Sequence, residues 1–346
     1  MAWLDVVSRL RMDVTPFRQS RDYRLLLLAG TVFYLGGMMT YVAVPYQLYD
    51  LTGSNFMVGA VGIVELVPLV VFGLWGGALA DHMDRRTLLV WTGVAQVFFT
   101  SLLVVNALLP EPQVWVIFVV AAFLSAAQSL QRPSREALIP RTVEHDQLPA
   151  AVALSSVGMQ AGMLAGPAVG GVLLHTVGTA WCFLIDVVGI AVATVLFIRM
   201  RRYPPVEDAT PPSLRGIGEG LRYAVGRRDL LGTYIIDIVA MLMAMPTVIF
   251  PALAQDVLAR PEILGLLYTA GTVGALVSSV TSGWTGRVHH HGRAVVVSAM
   301  AWGASVALAG LTLNPWLVLL CFAMAGAADN LSGIFRSVIW HQTIPD

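Results

Sequence analysis

Lysine is absent from this chain of 346 residues, and all 21 basic side chains are arginine. Charge of either sign is scarce, at 12% of residues against roughly a quarter in an ordinary soluble domain. So few charges cannot clothe a water-exposed surface, which excludes a soluble globular protein. Acids and bases balance at 21 each, so bulk electrostatic attraction to nucleic acid is not expected. Two cysteines, Cys182 and Cys321, both fall in apolar stretches, which excludes a disulfide framework and a cysteine-rich metal site. No His-Glu-x-x-His pair, Gly-x-Ser-x-Gly elbow or P-loop occurs, so no catalytic residue and no cofactor is assigned. Gly216, Gly218 and Gly220 imitate a nucleotide fingerprint without the strand that must precede one. His289, His290 and His291 point about 100° apart on a helix and have no carboxylate or cysteine nearby, so no metal site is assigned there.

What the chain has is apolar length. Hydrophobic residues make up 57%, and the mean hydropathy is +0.73. The solvent for most of such a chain is lipid. Runs long enough to cross a bilayer occur at about 25–49, 56–80, 87–109, 114–131, 149–175, 179–199, 230–254, 262–286, 294–312 and 315–335. Continuous runs of this length fit helices rather than alternating barrel strands, which predicts an all-α integral membrane protein with ten spans. Residues 1–24 carry Arg9, Arg11, Arg18, Arg21 and Arg24 without a small-residue cleavage site, so the first span reads as retained. Trp3, Leu4, Val7 and Leu10 fit one face of a short surface helix there. Threading the spans with the N-terminus in the cytoplasm puts every arginine except Arg260 on the cytoplasmic side, which predicts that orientation in the cytoplasmic membrane.

A Pro-rich linker with a surface helix, 201–229, divides a six-span bundle at 25–200 from a four-span bundle at 230–346. The halves repeat. At an offset of 206, Pro45, Asp50, Gly59 and Gly77 pair with Pro251, Asp256, Gly265 and Gly283. At an offset of 201, Ala122, Ala126, Ala127, Leu130, Arg135 and Thr142 pair with Ala323, Ala327, Ala328, Leu331, Arg336 and Thr343, aligning span 4 with span 10. Two parallel six-helix halves are a common transporter plan with the solute path between them. The second half stops after its fourth span, so the expectation is ten of twelve helices and a chain that is a fragment of a longer protein; a natural ten-helix protein is the alternative.

The turn after span 2 reads GGALADHMDRRTLL, with Gly77, Asp81, Arg85 and Arg86. Charges at a membrane edge can exchange partners between two conformations, which makes this turn a candidate switch; an ordinary positive-inside loop is the alternative. It resembles the G-x-L-A-D-x-x-G-R-R/K signature of the major facilitator superfamily, with Asp84 where that signature has glycine. Span 5 carries Gly158, Gly162, Gly166 and Gly170 at steps of four, with Pro167 and Gly171. Span 8 carries Gly271, Ala275, Ser279 and Gly283 at the same step. Small residues on one face let helices approach closely, and these two stripes are expected to pack on each other. The run Gly162 to Gly171 also resembles the G-x-x-x-G-P-x-x-G-G signature of drug–proton antiporters in that superfamily. Segments 106–112, 131–143, 219–225, 250–255 and 265–271 extend the resemblance, with the siderophore (enterobactin) exporter and related efflux branch as the most similar part.

Four carboxylates fall within predicted spans and are candidate proton sites, taken in the order Glu65, Asp329, Asp237, Asp186, with a structural salt bridge or hydrogen bond as the alternative for each. Tyr34 and Tyr41 share a face of span 1, and with Gln128 they could line a substrate cavity or simply pack. Pro45, Pro246 and Pro251 are expected to kink cavity helices. No arginine is evident in mid-span, which disfavours exchange of phosphates or sugar phosphates. The resemblance implies a monomeric exporter that moves a small amphiphilic, siderophore-like molecule in exchange for protons, by rocking two halves within membrane lipid, with no nucleic-acid partner. A general multidrug or macrolide-type pump is the runner-up, and a non-transporting receptor or scaffold is the reading from another class.

Overall fold

The computed structural model describes residues 13–204, 222, 226–282, 285, 288 and 290–343. Among them there is no strand, and ten helical segments are long and apolar enough to cross a membrane. In chain order the helices are α1 (Arg21–Thr52), α2 (Asn55–His82), α3 (Arg85–Ala107), α4 (Val114–Thr142), α5 (Leu148–Thr176), α6 (Thr179–Ile198), α7 (Arg228–Ala244), α8 (Leu264–Val280), α9 (His291–Ala309) and α10 (Pro315–Thr343). Glycine supplies a positive φ at Gly53 after α1 and at Gly178 before α6, and Ala259 adopts one of 50° in the turn before α8. Large apolar side chains face outward along most helices, Phe56, Ile63, Trp91 and Val280 among them, as expected when the surroundings are hydrocarbon.

Contacts divide the chain into two units. The first holds α1 as far as Val44, Ala60–Gly166 and the chain from Val177 through α6. Within it α3 packs on α4 and α6, and a cluster of Leu26, Ala29, Leu89, Leu138, Ala193 and Phe197 ties α1, α3, α4 and α6 together. The second holds Pro45–Gly59, Pro167–Thr176 and α7 to α10, with α10 packed on α8 and α9.

Two expectations change. Hydropathy ends the fourth span near 131, but α4 runs on to Thr142, about 16 Å further at 1.5 Å per residue. Arg132, Arg135, Glu136 and Arg141 are thus helical, and Arg135 and Arg336 lie toward the C-terminal ends of their membrane-length helices. The seventh span is interrupted at Pro246. That residue cannot donate a backbone hydrogen bond, so α7 ends at Ala244 and the chain continues as a 3-10 turn at Pro246–Ile249 and a π turn at Leu253–Val257. Pro45, in contrast, sits inside a helix that continues to Thr52.

The glycine stripes also find other partners. A Cβ on Gly162 would fall 2.7 Å from the Tyr34 Cβ, and Gly158 and Gly166 sit as tightly against Thr31 and Met38, so this stripe seats α5 on α1. On α8, Gly271 and Gly274 lie against Gly326 and Ala323 of α10. Among the described residues, Gly265 of α8 lies against Pro167 and Gly171 of the α5 motif. The spacing leaves the partner open, because a smooth stripe specifies closeness and not partner.

Residues 1–12, most of 205–225, Gly283 and His289 lie outside the described residues, and with them the N-terminal surface helix, the linker helix and the triple glycine. The burial of Gly77 and the side chain of Asp81 lie outside them as well.

Candidate functional site

The α2–α3 turn is held by capping. Asp84 accepts from the Thr87 amide at 2.8 Å and hydroxyl at 2.9 Å, closing the N-terminus of α3, and its other oxygen accepts from the Tyr203 amide at 2.7 Å. The glycine of the resembling signature could do neither. Arg85 donates to the Ala137 carbonyl on α4 at 3.0 Å. Arg86 donates to Phe197 and Ile198, carbonyls at the C-terminal end of α6, where a cation meets the negative pole of the helix. Tyr203 completes the clasp by donating its hydroxyl to Asp22 of α1 at 2.7 Å. Burial, followed by the Asp22 carboxylate, holds that phenol above its ordinary pKa, so it stays a donor.

The four intramembrane carboxylates have different settings. Glu65 on α2 is half-buried; its carbonyl accepts from Ser125 of α4 at 2.8 Å. Asp186 on α6 is 2% exposed and accepts from Thr40 of α1 at 2.5 Å, while its Oδ1 has no partner. Gly36 makes this approach possible, since a Cβ there would lie 3.0 Å from the Asp186 Cα. Thr40→Val is expected to leave this buried acid without a donor and to cost about 1–3 kcal/mol, read as a lower thermal midpoint in detergent; an unchanged midpoint would show that the bond carries no stability.

Asp237 and Asp329 come together around Arg336. The guanidinium of this α10 residue pairs with Asp237 of α7 through Nη1, and its Nη2 lies 3.8 Å from Asp329. Arg336 is 9% exposed, and its Nε finds no acceptor. These three residues line a cavity of about 50 Å³ closed by Met241, Trp302 and Ser332. One cation thus faces two carboxylates, leaving an excess negative charge that a proton can cancel.

A larger cavity, about 240 Å³, lies among α1, α4 and α5 in the first unit. Gly30, Thr31 and Tyr34 form one wall, and Arg135 enters from α4. Its guanidinium sits 4.5 Å from the centre of the Tyr34 ring and donates to the Tyr34 hydroxyl at 2.6 Å. Tyr34 lines this cavity, while Tyr41 and Gln128 are exposed and do not line it.

The two cavities share two walls by repeat position, α1 with α7 and α4 with α10, while the third wall is α5 in the larger and α9 in the smaller. At the offset of 206, Gly30, Thr31 and Tyr34 correspond to Ile236, Asp237 and Ala240, all of which line the smaller cavity; at 201, Arg135 corresponds to Arg336. Residues 12–334 match the family described as transmembrane secretion effector. The chain belongs to that family. It is accordingly a multi-pass membrane transporter of the major facilitator type.

The transporter is 26% identical over 337 residues to the enterobactin exporter EntS of Citrobacter koseri, covering 97% of this chain and 80% of the relative. The Escherichia coli O1:K1 / APEC exporter of the same name is 25% identical over the same coverage. The fold is shared with a bacterial homolog of the human lysosomal transporter Spinster, solved inward-facing and unoccupied (TM-score 0.71, 15% identity, 94% of this chain and 75% of that one). It is shared equally with the nucleoside transporter NupG (TM-score 0.71, 14% identity, 94% and 83%).

Sequence reasoning alone does not find the Asp237–Arg336 pair, the Asp22–Tyr203–Asp84 clasp or the Arg135–Tyr34 contact. For the first and last a signal exists: Arg135 and Arg336 are a matched repeat pair, and a charge kept in both halves of a duplicated chain marks a shared position.

Proposed function

We propose that this transporter is a secondary active exporter that moves a small amphiphilic, siderophore-like molecule out across the cytoplasmic membrane, in exchange for protons and by alternating access. The relatives named enterobactin exporter support export of such a molecule. The arginine distribution supports a cytoplasmic N-terminus. The observation that carries proton coupling is the Asp237–Arg336–Asp329 cluster. Two carboxylates compete for one guanidinium, so binding of a proton to either one redistributes the pair and changes what holds α7 to α10. Only a group whose proton affinity differs between conformations can bias a transport cycle, and a cluster spanning two helices meets that condition better than the isolated Glu65. The turn at Asp84, Arg85 and Arg86 and the α5 run through Pro167 and Gly171 act as the conformational elements.

The test is uptake of enterobactin into inverted vesicles under an imposed pH gradient. Uptake that collapses with a protonophore is expected, and Asp329→Asn is expected to abolish the response to the gradient while Glu65→Gln keeps it. Gradient-independent uptake would remove proton antiport. Uptake of unrelated cationic dyes without enterobactin would favour a multidrug pump, and transport of neither would favour a non-transporting role.

A further inference from the structure

We propose that Arg135 is an anion-binding residue of the first unit's cavity, and that the exported molecule presents an acidic group on an apolar or aromatic body. This rests on the export reading above and names its substrate class. A guanidinium carries five N–H donors. Among the described residues Arg135 spends one of them, on the Tyr34 hydroxyl. The acid lining the same cavity, Glu136, is already paired with Arg132 at 3.0 Å. The cavity hydroxyls are committed too: Thr31 donates to the Leu27 carbonyl, Ser156 to that of Val152, and Ser155 is bonded to Tyr23. The remaining walls, Leu26, Leu27, Ile139, Val152 and Met159, are apolar.

The repeat sharpens the point. In the second unit, Arg336 meets the carboxylate of Asp237; the position equivalent to Asp237 in α1 is Thr31, which brings no charge. One arginine of the matched pair is therefore neutralised by the protein and the other is left for a ligand. Tyr34 holds the Arg135 guanidinium over its ring, which presents the planar fork that binds a carboxylate through two parallel hydrogen bonds. A volume of about 240 Å³ admits a ring-sized acidic group rather than a whole drug-sized ligand.

Binding of 1-naphthoate and of its uncharged isostere 1-naphthamide to the purified chain in lipid nanodiscs tests this. The wild type is expected to prefer naphthoate by about tenfold or more, the worth of a charge-assisted hydrogen bond. Arg135→Gln is expected to abolish the preference and Arg135→Lys to retain part of it. Thr31→Asp, which installs the second unit's carboxylate beside the guanidinium, is expected to abolish it with the arginine still in place. Equal binding of the two probes by the wild type, binding of neither, or a preference that survives both Arg135→Gln and Thr31→Asp overturns the proposal. A naphthoate preference without proton-driven uptake in vesicles leaves the anion site standing and sinks the export reading, whereas uptake without the preference does the reverse.

Discussion

Arg336→Met is expected to destabilise the second unit by about 3 kcal/mol, the lower end of the range for stripping one partner from a buried ion pair. The lower end applies because the side chains of Asp237 and Asp329 keep 36% and 52% exposure, while Arg336 keeps 11%. Removing the arginine leaves two carboxylates facing each other across a cavity with no cation to offset either. The cost therefore lies in the acids left behind more than in the bond removed. Arg336→Met combined with Asp237→Asn should accordingly regain most of the loss, giving a coupling energy that a double-mutant cycle isolates. Thermal unfolding of the four proteins in one detergent measures it. Single losses that simply add in the double variant, a coupling of zero, would mean that the pair contributes nothing and that the lost arginine matters through packing.

The ease of reading this chain differs by level. Ten spans were legible because a run of about 20 apolar residues has few other fates. Their polar ends were not. The stretch Arg132 to Arg141 carries four charges that look like a loop, yet α4 continues through them, since a helix near the membrane edge satisfies its own backbone whatever its side chains carry. The Arg336 and Asp329 juxtaposition could be read from a seven-residue step on one helix, whereas the Asp237 contact could not, because it joins residues about a hundred apart through tertiary packing. The partner of the α5 stripe stayed hidden for a related reason. Glycine spacing says that something comes close, and several helices of a bundle meet that description.

The contact with the least room for change is that between α8 and α10, and Gly274→Ala and Gly326→Ala are each expected to destabilise by roughly 1–3 kcal/mol, with valine at either site blocking accumulation of folded protein. A Cβ at Gly274 would fall 2.6 Å from the Ala323 carbonyl carbon, and one at Gly326 would fall 2.6 Å from the Gly271 Cα. Both obstacles are main chain, so no side chain can rotate away and the helices themselves must separate. Separation loses the dispersion contacts that hold membrane helices together, because lipid offers no hydrophobic penalty for parting them. It also strains the bonds from Asn330 to Ser278 and Ser279, at 2.8 and 2.9 Å, which join the same two helices one turn beyond Gly326. Gly303→Ala on α9 is the matched control: a Cβ there meets nothing within 4 Å, so alanine should be neutral or gain about 0.5–1 kcal/mol from reduced backbone freedom. Monodisperse yield and thermal midpoint in detergent separate the cases. Equal behaviour of Gly274→Ala, Gly326→Ala and Gly303→Ala would show that α8 and α10 do not depend on main-chain contact.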